Sequence, residues 1–583
     1  MPPALGTLPD DAAQRMRLPV RAWVIYAALA ALVAWVWFAT LSERPLFNTD
    51  EGRYAEIPRE MLDGGDWVIP HLNGLAYIEK PPLQYWATAL CLRVFGLGEF
   101  GARFYTALLG LATLALVWLS ARSLWGRAAA WRAAAVLAGM PLFAILGQLL
   151  TLDMSLSFFM TSSLVAFIRA QVPTDAGIRS HARAYMLLAW AATAAGVLTK
   201  GLVAAAIPAA VLVLYTASTR DGSPWRRLHV AVGLPLFLAI AVPWHVLAAR
   251  RLPDFLSFFF VHEHLARYLT PSADREEAWW FFGPVLLAGT LPWLCSVLRV
   301  LATGWRGSTP HAAGEAAREF DAVRFLWLWV VFVVAFFSRS DSKLIPYVLP
   351  ALPALALLIA SRPAATLRTE LFWSVGVTLA AAVVLGLASL NWRHIVPASE
   401  RSAYLWLLAK PLGEVAAILG VTAAFVWVRR DVTTAGAAIG GENAALRGAR
   451  GWVFLGAGWC LAVLCLVRAA ALVAPMYSGA SLAAGLAVAP RRAPVYSVAT
   501  YDQTLPFYWR RTVSLVAYRG ELDYGLRHDP GAGIDTIDAF LPVWLAQTDA
   551  FAVMETDMFD RLQQRGMPMH EIARDLHRVL VAR

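Results

Sequence analysis

An acidic pair opens the stretch Asn48-Thr49-Asp50-Glu51-Gly52-Arg53-Tyr54-Ala55-Glu56-Ile57-Pro58-Arg59-Glu60-Met61. The pair sits just past the end of the first apolar run, where ionisable groups facing a bundle are costly and commonly functional. Thr49 or Asp50 can cap a short helix lying along the membrane surface. The ordinary alternative is a solvated acidic loop, and the position of the pair argues against it. Further on, Tyr77-Ile78-Glu79-Lys80-Pro81-Pro82-Leu83-Gln84-Tyr85-Trp86 sets a lysine before two prolines and an aromatic-rich segment. Such a lysine is better placed to meet a lipid phosphate than to snorkel at random. Asp153, in Leu150-Thr151-Leu152-Asp153, falls where one apolar run turns back into the next, so it either caps the following helix or joins the other acids.

Two further segments return charge to the same side. Val261-His262-Glu263-His264-Leu265-Ala266-Arg267-Tyr268 offers Arg267 for a bidentate phosphate contact. His262 and His264 are two residues apart and would not share a helix face. One of them with Glu79 is a candidate for a divalent ion (Zn, Mg or Mn), although two residues do not make a metal site. No cofactor is otherwise expected. Arg339-Ser340-Asp341-Ser342-Lys343-Leu344-Ile345-Pro346-Tyr347 completes the set. Together these segments gather carboxylates, cations and phenols. That mixture suits transfer of a sugar from a lipid phosphate: fixed cations stabilise the departing phosphate, and carboxylates favour an oxocarbenium-like sugar. On this reading Asp50, Glu51 and Asp153 are the catalytic carboxylates. Lys80, Arg267, Lys343 and Tyr347 hold the donor phosphate, and Arg53, Tyr54 and Tyr77 bind substrate.

The elements that must position these residues are membrane helices. Of 583 residues, 59% are hydrophobic and 15% charged, against about 45–50% and 25% in soluble domains. A water-soluble enzyme, a disordered scaffold and a disulfide-stapled module are excluded. The net charge of +10 is spread over short loops between apolar runs, which argues against a nucleic-acid partner. Only Lys80, Lys200, Lys343 and Lys410 are lysines, and the four cysteines lie in apolar segments as small buried hydrophobes. Thirteen runs are long enough to span, near 20–41, 100–120, 133–150, 153–169, 184–199, 201–218, 229–249, 280–302, 323–338, 344–361, 371–390, 403–428 and 451–475. The segment 83–97 reads as a helix lying at the interface. The first apolar run lacks a convincing cleavage site and is expected to remain as an anchor.

The loop 42–82 carries eight acids and four bases, whereas the loops on the other side are arginine-rich. The positive-inside rule then puts residues 1–19 in the cytoplasm and loops 42–99 and 250–279 outside. Residues 20–475 form the membrane domain. From 476 to 583 alternating strands and helices predict a small external α/β domain acting as lid or support.

Taken together, Asp50-Glu51, Glu79-Lys80-Pro81-Pro82-Leu83 with Tyr85-Trp86, Asp153, Glu263-His264…Arg267-Tyr268 and Lys343-Leu344-Ile345-Pro346-Tyr347-Val348-Leu349-Pro350 resemble polyprenyl-phosphate-sugar glycosyltransferases of the membrane class C fold. Within them the chain looks most like bacterial lipid A aminoarabinose transferases. The resemblance implies a multi-pass inner-membrane protein with a periplasmic site, an undecaprenyl-phosphate-linked 4-amino-4-deoxy-L-arabinose donor and a lipid A phosphate acceptor. Two alternatives remain open at this stage: a polyprenyl-phosphate-hexose transferase acting on protein or glycan, and a lipid flippase.

Overall fold

The computed structural model describes residues 20–172, 181–266, 277–307, 320–399, 401–429, 442–486, 490 and 492–583; at 20–27, 264–266, 364–365, 442–445 and 447 only the backbone is described. Each of the thirteen apolar runs falls on helix, although not always on an unbroken one. Eight helices among the described residues are long and apolar enough to cross a membrane. The run 100–120 and the start of 133–150 share one helical stretch, Glu99–Ala138, broken at Gly126, whose φ of 83° is open to glycine; the rest of 133–150 holds a separate short helix, Pro141–Leu146. Trp118 and Trp131 nevertheless meet edge to face at 5.9 Å. Thirteen residues of straight helix would hold them about 20 Å apart, so the chain doubles back at Gly126 into two antiparallel helices. The run 280–302 divides into Phe282–Gly289 and Leu294–Thr303 around Pro292, and 344–361 begins as a tight 3-10 turn, Ile345–Ala351.

The segment after the two prolines is the helix Leu83–Phe95. At 13 residues it is about 20 Å long, too short for a bilayer core of about 30 Å, and Leu90 and Val94 stay exposed along its outer side. Before it come the helix Asp50–Gly64 and a hairpin of β1 (His71–Leu72) and β2 (Leu75–Ala76).

The C-terminal region forms one six-stranded sheet: β3 (Val495–Val498), β4 (Ser514–Val516), β5 (Gly533–Ile534), β6 (Phe551–Glu555), β7 (His570–Arg574) and β8 (Arg578–Ala582). Its order is β5-β4-β3-β6-β8-β7, parallel from β5 through β6 and antiparallel at β8 and β7. The strands alternate with period two between two separate cores. Val498, Val516, Ala552, Met554, Val579 and Val581 face the domain's own helices with Phe540 and Trp544. Val495, Leu515, Val553 and Leu580 face the other way, into a core shared with Tyr54, Ile57, Met61, Leu72 and Leu75. A largely parallel sheet needs cover on both faces, and here the loop 42–82 supplies the second cover together with Leu482, Leu486, Leu505 and Phe507 of the C-terminal region. That loop and the C-terminal domain therefore lie on one face of the membrane domain.

The junction is held by polar pairing as well. Asn73 donates from Nδ2 to the Val513 carbonyl and accepts from the Val513 N–H, both at 2.8 Å. Glu60 accepts from the N–H groups of Asn73 and Gly74 at 2.6 and 2.9 Å, fixing the turn that presents Asn73. Burial and the neighbouring Glu56 carboxylate push the Glu60 carboxyl up to about 8.

Two outcomes are expected. A carboxyl raised above its ordinary value of 4.5 binds its proton more tightly in the native state, so its contribution is full below about pH 4.5 and is lost as pH rises towards about 8. Thermal melts of the protein in detergent should therefore lose stability across that window, and Glu60→Gln should flatten the loss. Gly52 is the close-approach point: a Cβ there would lie 2.6 Å from backbone atoms of Gln503 and Thr504, whereas one at Gly64 meets nothing within 4 Å. Gly52→Ala should cost about 1–3 kcal/mol and expose the C-terminal domain to protease, with Gly64→Ala as the unaffected control.

Candidate active site

Asp50 and Glu51 stand in the first turn of the helix Asp50–Gly64, where its dipole favours negative charge. Neighbours on a helix point about 100° apart, and the two carboxylates part company. Glu51, 3% exposed, turns inward. It accepts from Arg44 (2.5 and 2.9 Å), from Arg103 (2.8 Å twice) and from the N–H groups of Phe47 and Leu150 (3.0 Å each). Burial alone would raise its pKa, but the Arg103 and Arg44 guanidinium groups hold the carboxyl well below the usual range. Glu51 thus does not line the cavity, and the catalytic place read for it from sequence is corrected. Six donors saturate its oxygens and leave none for a substrate.

Asp50 faces outward, its side chain 47% exposed, with Arg53 3.3 Å away. It opens onto a cavity of about 280 Å³. The cavity is lined by Asp50, Arg53, Tyr54, Glu79, Lys80, Asp153, Lys200, Glu263 and Tyr347 together with the apolar Leu152, Leu156, Leu202, Val203, Ala206, Phe336, Phe337 and Leu344. Four carboxylates and three cations therefore share one cavity with apolar walls. Asp153, in the first turn of the helix Leu152–Gln171, pairs with Lys200 at 2.5 Å. Lys80 pairs with Glu263 at 2.9 Å. The Lys200 ammonium lies 4.8 Å from the centre of the Tyr347 ring, a cation–π distance.

The structure thus brings together Asp50, Asp153, Lys80, Tyr347, Tyr54, Arg53 and Glu79 from the sequence reading. Tyr77 is buried behind them, with Arg53 5.9 Å from its ring, and does not line the cavity. Lys343 is turned aside, donating to the Glu277 carbonyl at 2.7 Å. Both are corrections to the expected substrate and phosphate contacts. Arg267 and the His264 side chain lie outside the described residues. His262 is exposed, 3.5 Å from Glu263, and no group of three His, Cys, Asp or Glu among the described residues is placed to hold a metal. The metal set of Glu79, His262 and His264 includes a side chain outside the described residues.

Sequence reading missed Lys200, Glu263, and the Arg44–Arg103 clamp. Lys200 ends an apolar helix, Ala182–Lys200, and its rarity was the available signal. A cation at the last turn of one apolar run can face the acid at the first turn of another.

This architecture has close counterparts. Residues 485–583 match the family model for the aminoarabinose transferase C-terminal domain, and residues 24–259 match that for dolichyl-phosphate-mannose-protein mannosyltransferase. The crystal structure of ArnT from Cupriavidus metallidurans bound to undecaprenyl phosphate superposes with a TM-score of 0.85 at 32% identity, over 97% of this chain and 98% of that one. An undecaprenyl phosphate-alpha-4-amino-4-deoxy-L-arabinose arabinosyl transferase of Serratia proteamaculans is 33% identical over 65% of this chain and 68% of its own length. The chain belongs to this family of aminoarabinose transferases. It is a multi-pass membrane protein with the class C glycosyltransferase fold and the family's C-terminal α/β domain. The chain is 35% identical to the Aeromonas salmonicida relative of the same name over 56% of that protein's length.

The two carboxylates separate cleanly by experiment. Glu51→Gln removes the charge that compensates two buried guanidinium groups and should cost about 3–5 kcal/mol, read as a lower melting temperature and poor recovery from the membrane. Asp50→Asn, at a half-exposed site, should change stability by less than about 1 kcal/mol.

Proposed function

We propose that this protein transfers 4-amino-4-deoxy-L-arabinose from undecaprenyl phosphate to a lipid A phosphate at the periplasmic face of the bacterial inner membrane, lowering the negative charge of the outer membrane. The observation that carries this reading is the cavity in which Arg53, Lys80 and Lys200 stand among four carboxylates and apolar walls. A greasy donor can keep its tail against Phe336, Phe337 and the leucines while its phosphate meets the cations. The relatives' names supply the sugar and the carrier.

In the transfer, the bond between the sugar's anomeric carbon and the donor phosphate oxygen breaks, and a bond from that carbon to an acceptor phosphate oxygen forms. Undecaprenyl phosphate leaves with the electron pair. Lys80, Lys200 and the Tyr347 hydroxyl stabilise the charge that develops on it. A phosphate acceptor is already ionised near neutral pH and needs no general base. Asp50 is accordingly cast as the carboxylate that positions the sugar and stabilises positive charge at its anomeric carbon. Asp153 acts mainly by fixing Lys200. The excess of carboxylates over cations also suits a sugar bearing an ammonium group. With the N-terminus cytoplasmic and the C-terminal domain periplasmic, the cavity opens on the side where lipid A is exposed before export.

Mass spectrometry of lipid A from cells with and without the protein tests this. A gain of one aminopentose per modified phosphate is expected; unchanged lipid A alongside a newly glycosylated protein would point to the hexose-transferase alternative. Asp50→Ala, verified as folded and inserted, should lower transfer at least about 100-fold. Transfer that survives it removes Asp50 from the role.

A further inference from the structure

The C-terminal domain reaches the reacting groups through one side chain. Glu521, in the turn Gly520–Leu522, forms an ion pair with the Arg53 guanidinium, whose other terminal nitrogen is the one 3.3 Å from Asp50. Gln503 Nε2 donates to Glu521 at 2.5 Å, and the Gln503 N–H is bonded to the Asn48 side chain at 3.2 Å. The turn is thereby tied to the residues just before Asp50. Both partners are largely sequestered: the Arg53 and Glu521 side chains are 11% and 13% exposed, against 47% for Asp50. Arg53 therefore divides its charge between a shielded carboxylate behind the cavity and an open one within it.

We infer that Glu521 is a positioning residue for the transfer: by holding one edge of the Arg53 guanidinium it keeps that group from closing bidentately on Asp50, and so leaves an Asp50 oxygen available to the donor sugar. The inference rests on the reading of the cavity as the transfer site and assigns the C-terminal domain a part in the chemistry. A guanidinium forms its strongest contact with a carboxylate through two parallel N–H···O bonds. An Arg53 released from Glu521 would be free to take that geometry with Asp50, three residues before it on the same helix. The surroundings of Glu521 are Arg53 and Gln503, the carboxylates Glu79 and Asp50, and the phenols Tyr77, Tyr501 and Tyr518. Burial pushes the Glu521 carboxyl up from its ordinary value, with Arg53 opposing. As pH falls it therefore loses its charge earlier than an ordinary glutamate does, and once protonated Glu521 is the chemical equivalent of a glutamine.

The test uses the full-length protein in detergent or proteoliposomes with the undecaprenyl-phosphate-linked aminosugar and lipid A. Glu521→Gln keeps the shape of the turn and should lower kcat about ten-fold at neutral pH, the loss of one charge-assisted contact, with the donor KM changed less than about three-fold. The gap to the unaltered protein should narrow as pH falls, because Glu521 protonates there. A merely structural role would not produce that convergence. Tyr524→Phe, which removes a domain contact to Asp254 (2.7 Å) away from Arg53, should leave kcat and its pH dependence unchanged. A Glu521→Gln protein with ordinary kcat, a constant ratio across pH, or an equal loss in Tyr524→Phe would each overturn the inference while leaving the proposed function standing. An unaltered protein that transfers nothing would remove both.

Discussion

Glu51 is the charge around which the face that carries the C-terminal domain is assembled. Its two oxygens collect the end of the first membrane helix through Arg44, the start of the next long helix through Arg103, and the backbone at Phe47 and Leu150. Buried charges of this kind persist only when fully paired, so these segments must meet at one point or not at all. Asp50 is the next residue in one direction along the chain, and Asp153 lies three residues beyond Leu150. The distance between the two cavity carboxylates is thus set by a carboxylate that never touches the cavity.

The cavity follows the same logic in a wetter setting. Each of its cations has an acid within reach: Lys200 with Asp153, Lys80 with Glu263, Arg53 with Asp50 and Glu521. An apolar-walled pocket holding charge of one sign would be expensive without ligand. Interleaving the signs keeps it folded when empty and gives an incoming phosphate and an aminosugar opposite partners to exchange with. The same cavity offers both ion pairs and apolar walls, the two kinds of surface that an amphiphilic donor itself presents.

The C-terminal domain is an extension of this site. One face of its sheet is covered by its own helices and the other by Tyr54, Ile57, Leu72 and Leu75 from the loop that carries Asp50. On that second face the loop residues pack beside the C-terminal region's own Leu482, Leu486, Leu505 and Phe507, so the hydrophobic effect holds the domain against the loop, and Asn73 with Val513 fixes its rotation. The tightest point of that contact is Gly52, one residue before Arg53.

Local chemistry made much of this legible. The apolar runs, the short helix after Lys80-Pro81-Pro82 and the alternating strands beyond 494 each depend on composition within one segment, and each falls on the expected kind of element, although eight helices among the described residues, against thirteen runs, are long and apolar enough to cross a membrane. Asp50, Asp153, Lys80 and Tyr347 were legible because charges and phenols at the ends of apolar runs are too costly to be incidental. What the chain order could not carry is direction and partnership. That Asp50 opens to the cavity while Glu51 is buried depends on where Arg44 and Arg103 arrive. That Lys200 serves Asp153, that Tyr77 and Lys343 turn away, and that Glu521 reaches Arg53 depend on segments tens to hundreds of residues apart packing against one another. Sequence determined which groups stand at the membrane surface, because hydropathy acts residue by residue. Tertiary structure alone decided which of them face each other, because an ion pair forms only where two distant backbones are brought within a few ångströms.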